Sequence, residues 1–401
     1  MSLPVTVPFT FGNATTTQSL SSLDTNFTTI TNSVNGLTNG ASQINVASIT
    51  ATGTANASTF LRGDGAWATV TGGGTDATYA NLTVTQNLIP PSSFLRNRLI
   101  NGNMYVAQRG TSATVTAGTT VPTASTGYPC VDRWFVYSTG ANVTAAQVAG
   151  ATNNKNLLQV TGAASVTAVG IGQRIEQLNS YDLAGQTCTL SVNIANSLLT
   201  TVTWTASYAN TADTFGTIGT PTKTQIATGT FTVTSTLTQY TANIAVPAAA
   251  TTGIEILFTV GAQISGTWQI GNAQLEVGTL ATPFERRLYG QELVLCQRYY
   301  QKSYNTDVAP ATVTTAGVIG SLMNSGGAGF TTAVFKANMR AAPTVILYNP
   351  LTGGTGTWTD GSGGATTTTL NINGANNILL FSTGGPASAT VYGHYTASAE
   401  L

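Results

Sequence analysis

Residues 188–208 read CTLSVNIANSLLTTVTWTASY. Cys188, Leu190, Val192 and Ile194 alternate with polar residues, and after a break so do Val202, Trp204, Ala206 and Tyr208. A period of two sends one set of side chains to each face of a strand. The pattern returns at Ile254, Ile256, Phe258 and Val260. From about Phe94 to Arg287 such strands follow one another with turn clusters between them, the sequence form of a β-sandwich or jelly roll. Trp204 and Trp268 sit in alternating strands and are expected in the core. Leu288 to Tyr300 breaks the pattern with helical spacing and reads as a short helix or connector.

Beyond this block, residues 301–401 form a second β unit, with candidate strands at 313–319, 331–335, 344–348, 367–372, 378–381 and 390–396. A Gly/Thr-rich loop is expected at 349–364, holding Trp358 and Asp360. A loop that long on a β scaffold tends to be functional or mobile.

Before the block lies a different signal. Leu20, Leu23, Phe27, Ile30, Val34, Leu37, Ala41 and Ile44 recur at alternating steps of three and four, an a/d seam of about three heptads. The intervening residues are weak helix formers, so the helix needs partners. It reads as an oligomerisation stem over 20–44, with Gly36 and Gly40 fraying its end; docking on its own domain is the alternative. Residues 1–19 are extended in character, with Val5 and Val7 between prolines and then Phe9 and Phe11, an arm suited to pairing with another protein. Residues 45–92 are strand stubs, turns and a Gly-rich linker, with Asp64-Gly65 supplying a reversal between two apolar stubs.

Composition bounds the chemistry. Of 401 residues, 14 are basic, 14 acidic and one is His, while threonine fills roughly a fifth of the chain. Proton transfer and metal binding need clustered carboxylates, imidazoles or thiols, and these are sparse. Glu255, Glu276 and Glu285 are scattered, so no cofactor, metal site or catalytic residue is assigned and the chain is not read as an enzyme. Zero net charge gives no source of attraction to nucleic acid. The first residues lack a secretory signal and no run is long and apolar enough to span a bilayer. Cys130, Cys188 and Cys296 are widely spaced and read as reduced thiols in or near cores.

Several segments resemble bacteriophage tail-fibre and receptor-binding proteins. Residues 59–67, TFLRGDGAW, resemble a short module recurrent in such fibres. NRLINGNM at 97–104, AQRGTS at 107–112 and DRW at 132–134 look like the opening of a jelly-roll domain similar in kind to carbohydrate-binding modules. QLEVG at 274–278, ATPFE at 281–285 and CQRYY at 296–300 resemble its close, and MRAAPTV at 339–345 with YTASAEL at 395–401 look like a fibre tip. Each motif alone is weakly specific, and their order is more so.

The resemblance implies a mainly β, elongated fibre: a virion-attachment arm (1–19), coiled-coil stem (20–44), strand-turn shaft and linker (45–92), jelly-roll sandwich (93–300) and C-terminal β tip domain (301–401). It implies a homotrimer held by a virion tail or adaptor protein through its N-terminus, assembled in the host cytoplasm and located in the virion tail. Its implied role is host adsorption through non-covalent binding of a cell-surface glycan or protein, with no membrane insertion. Two other readings stay open: a purely structural head or collar fibre or decoration protein, and a polysaccharide-degrading spike.

Candidate receptor contacts follow from the need for aromatic faces beside fixed polar groups. Trp358 with Asp360 is the first, with packing on a neighbouring subunit as its alternative; Tyr392 and His394, sharing a strand face opposite Tyr395, are the second, with core or subunit-interface packing as the favoured alternative. Asp132-Arg133-Trp134 reads as an arginine paired to a carboxylate beside a core tryptophan, and Arg174 with Glu176 as a structural ion pair.

Overall fold

The computed structural model describes residues 16–17, 19–37, 52, 59–61, 66–69, 95–151 and 154–401. Two compact units divide the chain, Met1–Leu88 and Ile89–Leu401.

In the first unit, helix α1 spans Leu20–Leu37 and runs through Gly36. Thr25, Thr28 and Thr29 return their hydroxyls to the carbonyls of Ser21, Asp24 and Thr25. These bonds satisfy the hydroxyls within the helix itself. Leu20, Leu23, Phe27 and Ile30 are 81, 41, 59 and 40 % exposed, whereas Ser22 and Asn26 are buried. The helix therefore buries polar residues and leaves its apolar seam outside. Val34 and Leu37 lie in α1. Residues 38–44 of the expected stem lie outside the described residues, as do Val5, Val7, Phe9 and Phe11 of the arm. Strands β1 (Thr59–Leu61) and β2 (Trp67–Thr69) pair antiparallel, Phe60 opposite Ala68.

The second unit opens with a β-sandwich. Its strands are β3 (Ser112–Val115), β4 (Phe135–Thr139), β5 (Val143–Ala149), β6 (Asn156–Thr161), β7 (Ala168–Ile175) and β8 (Thr187–Asn196). They continue with β9 (Thr201–Ala209), β10 (Lys223–Thr232), β11 (Thr238–Ala245), β12 (Ile254–Val260) and β13 (Thr267–Val277). One sheet runs β10-β9-β12-β7-β4 and the other β11-β8-β13-β6-β5-β3, with every pairing antiparallel. The two inner faces share one core. Cys188, Leu190, Val192 and Ile194 from β8 join Val202, Trp204 and Ala206 from β9, Ile254, Ile256, Phe258 and Val260 from β12, and Trp268 from β13. All are buried, so the period-two reading holds residue by residue, with Tyr208 partly buried at the core's edge.

Helix α2 (Tyr289–Gln297) occupies the stretch expected to be a helix or connector. A second set of strands follows: β14 (Tyr300–Lys302), β15 (Ile319–Leu322), β16 (Ala328–Val334), β17 (Thr344–Tyr348), β18 (Thr357–Asp360), β19 (Ala365–Asn373), β20 (Asn377–Thr383) and β21 (Thr390–Ser398). Their sheet runs β14-β21-β18-β19-β20-β16, with β15 and β17 also pairing β21. Four of the six expected strands here fall on β16, β19, β20 and β21, and β17 matches 344–348 residue for residue.

Two expectations are corrected. Residues 313–318 are not a strand; they belong to a strap at 303–318 that crosses β21, and β15 begins at Ile319. The expected loop at 349–364 contains β18, where Thr357 and Thr359 pair with Thr367 and Ala365. Its glycines mark turns on either side of a strand too short to read by alternation.

Candidate functional site

The segment 97–104 is a clasp. Strand β13 shifts register against β8 between Gly271 and Gln274, and at this bulge the Ala273 backbone bonds to Gly102. Ala273 N donates to Gly102 O at 2.9 Å, and a Cβ on Gly102 would lie 2.1 Å from Ala273 O. Only glycine admits that approach. Asn97 accepts from the backbone N of Leu99 and Leu275 and donates to Ala273 O. Asn101 donates to the carbonyls of Val106 and Asp132 and accepts from Val106 N. Trp134 Nε1 donates to Asn101 O at 3.0 Å. With those amides and that backbone so engaged, the motif is structural.

The charges of 132–134 are also structural, an arginine paired to a carboxylate beside the buried Trp134. Arg133 pairs not with its neighbour Asp132 but with Glu400, both buried, and its guanidinium lies 3.5 Å from the Tyr299 ring centroid. Asp132 accepts from Gln108, and Arg109 bridges Asp132 at 3.6 Å and Glu400 at 3.2 Å. Burial pushes the Asp132 carboxyl up, and Arg109 and Gln108 oppose it. Arg174 and Glu176 do not pair with each other. Arg174 pairs with Glu255 at 2.8 Å, and Glu176 with Arg298 at 2.8 Å. Each finds an opposite charge on another element, which alternation along one strand does not show.

A cleft of about 630 Å³ opens where the sandwich meets the C-terminal sheet. Tyr105, Gln147, Tyr289, Asn305, Asp307 and Lys336 are among its lining residues. Tyr289, first residue of α2, is 49 % exposed, and Tyr105 is half-buried with Lys155 Nζ 5.6 Å from its ring centroid. Gln147 Nε2 donates to Met104 O and Tyr105 O, which fixes the tyrosine-bearing turn. The volume suits a small ligand, and two phenol rings beside amide, carboxylate and ammonium groups suit a polar ligand with apolar faces.

One wall of the cleft is the strap, held by two buried side chains. Lys302 Nζ donates to Gln108 O at 2.5 Å, to Thr306 O at 3.0 Å and to Val308 O. Burial lowers its pKa to about 8, with the Asp132 and Asp307 charges opposing. His394 Nε2 donates to Thr314 O at 2.9 Å, so Nδ1 accepts from the Ser303 hydroxyl at 2.9 Å. Its ring stacks on Tyr304 with centroids 3.6 Å apart.

Three of the four expected receptor contacts, Trp358, Asp360 and His394, are buried. Trp358 is 0 % exposed, in the core of the C-terminal sheet, with Nε1 donating to His394 O. Asp360 is buried and accepts from Ser362 N and Gly364 N, tying the turn after β18. His394 is 0 % exposed, and Tyr392 is half-buried, opposite Gly320 and Thr359. A buried indole and a stacked imidazole have no free face for a ligand. The structure brings His394 into the support of the cleft and leaves Trp358 and Asp360 within the sheet. Tyr105, Tyr289, Lys155, Asn305, Asp307 and Lys336 went unread as site residues. Their one signal in sequence is the rarity of lysine, of which the chain has four.

Cys130, Cys188 and Cys296 are free and buried. Among the described residues no group of His, Cys, Asp or Glu could hold a metal ion, and no helix is long and apolar enough to cross a membrane.

No protein-family model and no curated protein matches the chain. Among solved structures, the bacteriophage CBA120 tailspike protein 4 enzymatically active domain is 18 % identical at TM-score 0.27, covering 40 % of this chain and 21 % of its own. The TmCBM61 module solved with beta-1,4-galactotriose is 12 % identical at TM-score 0.26, covering 36 % and 88 %. A family 16 carbohydrate binding module is 16 % identical at TM-score 0.24, covering 33 % and 84 %. This chain thus spans about a fifth of the tailspike domain's length.

Proposed function

We propose that this chain is a subunit of a bacteriophage tail fibre, a virion structural protein that mediates host adsorption by binding a cell-surface glycan non-covalently in the cleft of Tyr105 and Tyr289. The observation that carries the binding role is that cleft, with two phenol rings set among Gln147, Asn305, Asp307 and Lys336. Sugars present apolar C–H faces and hydroxyl edges, which such a surface matches. Among the described residues lining the cleft Asp307 is the one acid, which favours binding over the paired-carboxylate cleavage of a spike. The ordered fibre-like motifs along 59–401 support the virion setting, including assembly in the host cytoplasm and a hold on a tail or adaptor protein through residues 1–19. The exposed seam of α1 supports a homo-oligomeric stem, with a homotrimer as the working stoichiometry. Several copies on one particle let each site be weak.

The test is a glycan array probed with the full chain and with Tyr105→Ala and Tyr289→Ala. The reading expects a subset of glycans to be retained and each variant to weaken retention about two- to tenfold, as loss of an aromatic contact does. Absence of any bound glycan, or retention unchanged in both folded variants, overturns it.

A further inference from the structure

Most of the described cations are paired with a carboxylate, and lysines that are not so paired gather around the cleft. Arg96, Arg98, Arg109, Arg133, Arg174, Lys223, Arg287, Arg298 and Arg340 each lie within 4.0 Å of a carboxylate oxygen. Lys155, Lys302 and Lys336 have no such partner; Lys336 lines the cleft, and the other two lie next to residues that do. Lys155 stands over Tyr105. Lys336 lines the cavity, is exposed and uses its Nζ only on Lys302 O, at a long 3.5 Å. Lys302 lies behind the strap, with its three donors on carbonyls. Lys336 is near enough to Lys302 to help depress its pKa, so the positive charges reinforce one another. Asp307 supplies the one opposing charge in the lining. Lys336 in the lining and Lys155 over Tyr105 set two exposed ammonium groups against the one carboxylate of Asp307, which favours an anion at this opening.

Resting on the glycan reading above, we propose that the ligand of this cleft is an acidic saccharide, a sugar bearing a carboxylate or phosphate group. The sugar ring packs on Tyr289 and Tyr105 while its anionic group is met by Lys336 and Lys155. Lysine suits this task as a mobile point charge that accepts either anion, where an arginine fork would favour one planar geometry. Lys302 is a positioning residue. It holds the strap that carries Asn305 and Asp307, and does not reach the ligand.

The experiment uses the full chain on immobilised pairs that differ in one acidic group: polygalacturonate and its methyl ester, sialyllactose and lactose, phosphomannan and mannan, with polyphosphate as a sugar-free polyanion, each at low and high salt. The expected result is that the acidic member of at least one pair is retained more strongly and that salt erodes the preference. Lys155→Ala and Lys336→Ala should each reduce it about two- to fivefold, as for exposed ion pairs. Equal retention within every pair, or a preference unchanged in both lysine variants, overturns the acidic-sugar inference; a signal that still falls in Tyr289→Ala then leaves the glycan reading standing. Retention of polyphosphate as strong as that of any acidic sugar also overturns it, in favour of a plain anion site. Retention of no sugar at all overturns both.

Discussion

Arg133 and Glu400, 267 residues apart in sequence, form a buried ion pair that joins the sandwich to the C-terminal residues just after β21. Around it, Arg174 Nη1 and Tyr128 Oη donate to Leu401 O, and Arg340 donates to the carbonyls of Ala399 and Glu400. Removing one partner of such a pair strands the other charge in the interior. Glu400→Ala should therefore destabilise the second unit by about 3–5 kcal/mol, read as a shift in urea midpoint. Glu400→Met combined with Arg133→Met should cost less than Glu400→Ala alone, because no buried charge is left unpaired. For the same reason, deleting 301–401 should leave an aggregating sandwich with Cys296 and Tyr299 uncovered, not a fibre lacking only its tip.

Gly102 is a second point of failure. Its Cβ position lies 2.1 Å from a backbone oxygen, which a rotamer change cannot relieve. Gly102→Ala should cost about 1–3 kcal/mol, and more if the bulge cannot shift. An unchanged thermal midpoint would contradict the clasp.

Acid should loosen the strap through His394. Burial holds this imidazole below its usual pKa of 6.5, against its hydrogen bond to Thr314 O. The unfolded chain takes up the proton more readily, so the stability contributed by neutral His394 is full above pH of about 6.5 and is lost as pH falls through the folded value. Midpoints measured downward from neutral pH should fall, and His394→Gln should flatten part of that slope. Glycan retention should weaken over the same range, since the strap forms a wall of the cleft.

Base acts through phenols. Burial pushes Tyr299 and Tyr395 up to about 12. In the unfolded chain they ionise near pH of about 10, so their contribution is full below that value and is lost as pH rises through the folded values. Their absorbance near alkaline pH should change with unfolding instead of titrating freely.

The thiols should be silent. Burial raises Cys130 and Cys188 to about 11, and Cys296 is driven up by the same cause. A disulfide-exchange reagent should label none of the three in the native chain and all three in denaturant.

The stem is tested by mass. Phe27 and Ile30 are exposed on α1, so Phe27→Asp with Ile30→Asp should leave each chain folded and lower the mass measured by light scattering from about three chains to one. A wild-type mass of one chain would remove the stem from the proposed fibre.

What the sequence determined by itself is what neighbouring residues impose on one another. Alternation at Cys188–Ile194, Val202–Tyr208 and Ile254–Val260 specifies strands with one apolar face, because successive side chains must point to opposite sides. The steps of three and four from Leu20 specify a helix and its stripe. Tertiary structure alone decided what those faces and charges meet. Arg174 and Glu176 are two residues apart yet answer Glu255 and Arg298. Trp358 looked exposed among glycines but is covered by a sheet whose strands come from 300 to 398. Tyr105, Lys155, Tyr289 and Lys336 come from four separate stretches of chain, and no local period records that. Contacts between distant segments depend on how whole sheets pack, and packing is a property of the assembled surface, not of any window of the chain.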